Sequence, residues 1–148
     1  MKKVFLIILG SIMISMAYGN EKNHSIGLRV GIASSAGSAE ISYQYYLKPA
    51  SRLEFGLGVA EYPLQAALVY QKVGDLSSFA KGLKVYAGAG VVTGFYSSKT
   101  GIGMAAQGGM EYNFKFPAQI SLDYRPKVFF GGDNCYYDDL GISFRYKF

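Results

Sequence analysis

From Ser25 to the carboxy terminus, apolar side chains return at every second position, run after run. Ile26, Leu28, Val30 and Ile32 alternate with Gly27, Arg29 and Gly31. Leu53, Phe55, Leu57 and Val59 alternate with Glu54, Gly56 and Gly58. A period of two places successive side chains on opposite faces of a strand. Clusters of turn-forming residues at 34–38, 48–51, 61–63, 74–82, 97–100, 115–117 and 131–138 separate the runs. The strands so bounded are 25–33, 39–47, 52–60, 64–73, 83–95, 101–114, 118–130 and 139–148. Alternation blurs in the fourth, where Ala66-Ala67-Leu68-Val69 is apolar throughout. Pro126 interrupts the seventh. Proline donates no ladder bond, so it predicts a bulge, kink or unpaired stretch there.

The two faces differ in kind. One is Leu, Ile, Val, Ala, Met and aromatic. The other carries Arg29, Glu40, Glu54, Lys84, Glu111, Asp123, Arg125, Arg145 and Lys147 among many Gly and Ser. Opposite charges are near balance on that face, which predicts pairing, because buried charges persist when paired. A soluble ligand-binding barrel would put the apolar face inside, whereas a membrane barrel puts it outside.

The amino terminus favours export. Met1-Lys2-Lys3 precedes an almost wholly apolar run from Val4 to Met16, and Ala17-Tyr18-Gly19 supplies small residues at a cleavage site. This pattern predicts a signal peptide over 1–19 and one mature domain over 20–148. The run is short for a membrane span, which needs ~20 residues. The single cysteine, Cys135, is remote from that site and has no internal partner for a disulfide. An integral chain without a helical span must be a closed barrel, since only helices and barrels satisfy their backbone in lipid. Composition agrees: 13 Tyr, 10 Phe and 19 Gly suit short strands with aromatic belts. The formal charge of +5 comes from scattered residues, two of them in the signal peptide. No nucleic-acid partner is expected.

Three segments carry a resemblance. Tyr86-Ala87-Gly88-Ala89-Gly90, Gly109-Met110-Glu111-Tyr112 and Leu122-Asp123-Tyr124-Arg125-Pro126 are similar to the YxGxG, GxEY and LDxRP strands of the small outer-membrane β-barrel family of Gram-negative bacteria. The closing strand also resembles theirs, with Phe144, Tyr146 and a terminal Phe148 on the apolar face. The resemblance implies an all-β, eight-stranded antiparallel up-and-down transmembrane barrel of porin-like architecture. It implies that Phe144, Tyr146 and Phe148 form a signal read by the barrel-assembly machinery. It further implies outer-membrane lipid as surroundings and a monomeric state. The fold does not fix the activity.

Candidate chemistry is sparse. His24, the lone histidine, falls before the first strand, in a terminus read as disordered. It has no serine partner for nucleophilic catalysis and no companions for a metal. Glu54, Glu111 and Asp123 resemble acid/base carboxylates less than members of an interior charge network with Arg29, Lys84, Arg125 and Arg145. Asp133, Asp138 and Asp139 match no calcium loop and read as solvated loop acids. Glycines 88, 90, 101, 103, 108 and 109 precede no helix, so they read as relief of crowding in a narrow barrel rather than a nucleotide motif. The expectation is a non-enzymatic barrel without a cofactor, plugged by paired charges and serving envelope structure or surface contact. Alternatives are a narrow channel for small solutes, a lipid-modifying enzyme and a soluble periplasmic lipid-binding barrel.

Overall fold

The computed structural model describes residues 23–33, 37–60, 64–96, 99–130 and 135–148. The predicted signal peptide and the cluster Gly131–Asn134 lie outside them. The strands are β1 (His24–Ala33), β2 (Gly37–Lys48), β3 (Ser51–Val59), β4 (Leu64–Asp75), β5 (Leu83–Tyr96), β6 (Lys99–Asn113), β7 (Ala118–Tyr124), β8 (Lys127–Phe130), β9 (Cys135–Tyr137) and β10 (Asp139–Lys147). Each pairs antiparallel with the next around a ring. β10 returns to β1, so the sheet closes as an eight-stranded barrel, with β7–β8 and β9–β10 each acting as one interrupted strand. Among the described residues no helix is long and apolar enough to cross a membrane, which says nothing of strands.

The register fixes the shape. Stepping from partner to partner, Arg145 leads to Gly27, Ser42, Gly56, Ala67, Val92, Gly103, Phe129 and finally Cys135. One circuit thus returns to the same strand ten residues away, from 145 to 135. Such stagger forces the strands to tilt by roughly 35–45° from the barrel axis and leaves a lumen just wide enough for side chains.

Pro126 ends β7 without shifting the register. Gly108 pairs with Tyr124 and Ala105 with Lys127, in one unbroken frame. The Pro126 carbonyl still accepts from Ala106 N at 3.1 Å. The outcome is an unpaired stretch, not a bulge, because only the missing N–H is lost. The register shift recorded in the sheet lies between Tyr46 and Lys48.

Two loops differ from the sequence reading. β4 continues to Asp75, inside the predicted loop 74–82. β9 falls within the predicted loop 131–138 and pairs with β8. Gly82, in the shortened first loop, has φ +92°, and a Cβ there would lie 2.3 Å from the Asn113 carbonyl oxygen. That conformation and approach admit only glycine.

His24 is also corrected. It is the first residue of β1, not a disordered segment. It exchanges backbone hydrogen bonds with Phe148, at 3.2 and 3.0 Å. Its ring packs among Tyr43, Tyr45 and Phe148, with Nδ1 2.7 Å from the Tyr43 hydroxyl. Regular cross-strand pairing on both sides of β1 is what extends the strand to this residue.

Outside, the wall is apolar: Leu28 is 62 % exposed, Ile142 53 % and Phe144 59 %. Inside, Arg29, Arg52 and Arg145 are each 0 % exposed. This is the reverse of a soluble lipid-binding barrel, and that alternative falls. The blurred fourth strand has a cause as well. Ala67 and Val69 face inward, and Ala67 joins Val92, Ala105 and Phe129 in an apolar cluster within the barrel.

Candidate functional site

The lumen is the site, because every long polar side chain with one face of a strand available is turned into it. Its lowest tier, near the termini, begins with Arg52 on β3. Arg52 Nη1 donates to Glu111 Oε2 at 2.5 Å, and Nε donates to Gln71 Oε1 at 2.6 Å. Its guanidinium also lies over the Tyr86 ring, 4.5 Å from the centroid.

Glu54 is the hub of the middle tier. Its Oε1 accepts from Arg125 Nη2 at 2.8 Å and from Arg145 Nη2 at 3.2 Å. Its Oε2 accepts from Gln44 Nε2 at 2.7 Å and Gln71 Nε2 at 3.1 Å. Arg145 continues to Ser42 and Ser121 hydroxyls at 2.9 and 2.8 Å. Arg125 Nη1 donates to Glu40 Oε1 at 2.6 Å and links this tier to the next.

There, Arg29 donates twice to Asp123 Oδ1, from Nε at 2.9 Å and Nη2 at 2.7 Å, and once to Asp139 Oδ2 at 2.8 Å. Lys127 Nζ lies 3.3 Å from the same Asp139 oxygen. The Tyr86 hydroxyl donates to Asp123 Oδ2 at 3.0 Å.

The ion-paired residues balance: Arg29, Arg52, Arg125, Lys127 and Arg145 face Glu40, Glu54, Glu111, Asp123 and Asp139. Balance matters because an isolated ion moved out of water costs several kcal/mol even after relaxation. Replacing such a set with apolar residues is often neutral, so the network is weak evidence for stability. It is stronger evidence that the lumen is filled.

Of the seven residues expected in the network, Arg29, Glu54, Glu111, Asp123, Arg125 and Arg145 are buried together inside the barrel. Lys84 stands apart, half-buried near the mouth at the end of the barrel that carries the termini. The expected pairing pattern is also corrected. Cross-strand neighbours were to form a ladder of Asp123 and Glu111 with Arg125 and Arg145. The pairs instead cross the lumen, since the direct neighbours of these charges are mostly Gly, Ser and Gln. In so narrow a tube an arginine reaches the opposite wall.

Asp139 is a further correction: it is 1 % exposed and paired, not a solvated loop acid. Its parity with Gly141, Ser143 and Arg145 was the available signal. Arg52 and Lys127 were likewise readable by parity, two residues from Glu54 and Arg125 on the same face. Among the glycines, those at 88, 90, 103 and 109 meet neighbouring backbone or Asp123, whereas a Cβ at Gly108 would find its nearest atom at 3.8 Å. Asp133 lies outside the described residues.

The assembly-signal residues sit at the ring closure. Phe144 and Tyr146 point outward from β10, paired with Leu28 and Ile26, and Tyr146 stacks on Phe148 at 6.4 Å. No group of three His, Cys, Asp or Glu residues is placed to hold a metal among the described residues.

No family model matches this chain, and no curated protein matches it in sequence. Solved structures do resemble it. A de novo designed transmembrane β-barrel superposes with TM-score 0.66 at 16 % identity, covering 88 % of this chain and 98 % of that one. Neisserial surface protein A gives 0.59 at 17 % identity, over 84 % and 94 %. The amino-terminal β-barrel domain of Pseudomonas aeruginosa OprF gives 0.56 at 17 % identity, over 83 % and 96 %. At this identity the likeness establishes the fold.

Proposed function

We propose that this protein is an integral outer-membrane β-barrel, monomeric and non-enzymatic, whose filled lumen serves envelope structure or surface contact. The carrying observation is the inversion of polarity: charges balanced inside, large apolar side chains exposed outside. Water offers no reason to expose Leu28, Ile32, Ile142 and Phe144 on one continuous wall, whereas lipid does. The likeness to a designed transmembrane barrel and to Neisserial surface protein A supports the reading. Outer-membrane lipid is then its solvent, and the barrel-assembly machinery its partner during insertion, through Phe144, Tyr146 and Phe148.

The network spanning Glu54 from Arg125 and Arg145 favours a plug over a channel, because it joins opposite walls across the middle of the lumen. Planar-bilayer recording on the refolded protein tests this. A plugged barrel gives no discrete conductance steps. Regular steps at low voltage, abolished by heat denaturation, would assign it to the narrow-channel class instead.

A further inference from the structure

The balanced network stops short of one end. At the mouth beside the termini, Lys48, Lys84 and Lys147 line a cavity of about 370 Å³ with Asn23, Tyr46, Leu47 and Pro49. No carboxylate lines it. The acids nearest these lysines are otherwise engaged. Asp75, across the ladder from Lys84, accepts from the Ser77 backbone N–H at 2.7 Å and from its hydroxyl. Glu111, the other ladder partner of Lys84, is held by Arg52. Lys147 lies over the Tyr46 ring at 5.4 Å and also reaches Asn113 Oδ1. The carboxy-terminal carboxylate belongs to the adjoining residue, Phe148.

A second observation comes from the floor. Arg52 Nη2 and Gln119 Nε2 are buried donors without a hydrogen-bond partner. Both side chains meet at the Tyr46 hydroxyl, which receives Arg52 Nη1 at 3.4 Å and lies 3.5 Å from Gln119 Oε1. Tyr46 is at once a wall of the cavity and the link to these two donors.

We propose that this mouth is a binding site for a phosphate group. Three ammonium groups arranged around one cavity suit a ligand with several acceptor oxygens pointing different ways, which phosphate has and a carboxylate lacks. Low-dielectric walls strengthen the attraction of like charges gathered in a cleft for an anion. The phosphate can belong to a phospholipid headgroup or be free in solution. The site rests on the geometry of the mouth, not on the membrane reading.

The test uses the chain refolded in a maltoside detergent, its lysines reductively methylated with ¹³C, which keeps their charge. Inorganic phosphate is titrated at constant ionic strength against chloride, and phosphatidylglycerol is added in a parallel series. The expected result is saturable shifts at Lys48, Lys84 and Lys147, with exposed Lys72, Lys81 and Lys115 unchanged. Lys84→Gln and Lys147→Gln should each weaken binding by about tenfold, the scale of one charged hydrogen bond. Retained β-sheet circular dichroism shows that the variants fold. Response to inorganic phosphate assigns a free anion, and response to phosphatidylglycerol alone assigns a headgroup. Equal shifts at all six lysines, or none at the three in either series, would overturn the proposal.

Discussion

Arg29 and Asp123 stand 94 residues apart in sequence, yet the Arg29 Nη2 lies 2.7 Å from Asp123 Oδ1. Their strands are not neighbours, for β10 runs between β1 and β7. The contact passes over Gly141 of that intervening strand, where an added Cβ would lie 2.4 Å from the Arg29 Cζ. A glycine on the wall is therefore the seat of a cross-lumen ion pair.

Asp123→Ala should lower stability by about 3 kcal/mol, the low end of the cost of breaking a buried pair. The orphaned cation is Arg29, not Arg125, and Arg29 keeps Asp139 at 2.8 Å, which limits the loss. Urea unfolding followed by heat-modifiable gel migration measures it. An unchanged midpoint would mean that water enters and solvates Arg29.

Gly141→Ala should cost about 1–3 kcal/mol, as overpacking does in tight interiors. Arg29 is pinned by Asp123 and Asp139, so its guanidinium cannot swing away without losing a partner. The same unfolding assay reads the cost. Combined with Asp123→Ala, the penalties should sum to less than their separate values, since both act through Arg29.

Arg52→Ala and Glu111→Ala should each destabilise by ~3–5 kcal/mol, because each strands a buried charge. Replacing both at once with Met and Leu should come much closer to the parent. A double variant as unstable as the sum of the singles would show that the pair itself, and not its burial, carries the energy.

Phe148→Ser should lower outer-membrane levels while leaving the refolded barrel near parental stability. Only the ring contacts with His24 and Tyr146 are removed, worth about 1 kcal/mol each. The backbone pairing of residue 148 with His24 survives the change. Quantitative blotting of membrane fractions beside in vitro unfolding separates the two effects. Equal levels would deny the terminal aromatic a role in assembly.

Strand number and facing were legible because the alternation is nearly unbroken, and burial repeats it residue by residue in β10. Parity alone placed Arg29, Glu54 and Arg145 inside. What parity cannot supply is who meets whom, since that depends on stagger and on the empty space above Gly and Ser. Hence Asp123 was matched to the wrong arginine, and the contribution of Gln44, Gln71 and Gln107 around Glu54 went unread. His24 and Asp139 were misjudged for a different reason. Each sits at a strand end, where turn composition hides the pairing that the closed ring enforces.

The outer wall is the central claim, and the absence of native tryptophan allows a direct probe of it. Leu122→Trp and Ile142→Trp each place one indole on the exposed apolar face. In vesicles whose acyl chains carry bromine, a lipid-embedded wall gives blue-shifted emission with strong quenching that depends on bromine depth. Emission at the wavelength of water-exposed indole, indifferent to bromine, from a chain that stays dispersed without lipid or detergent would contradict a membrane-spanning barrel.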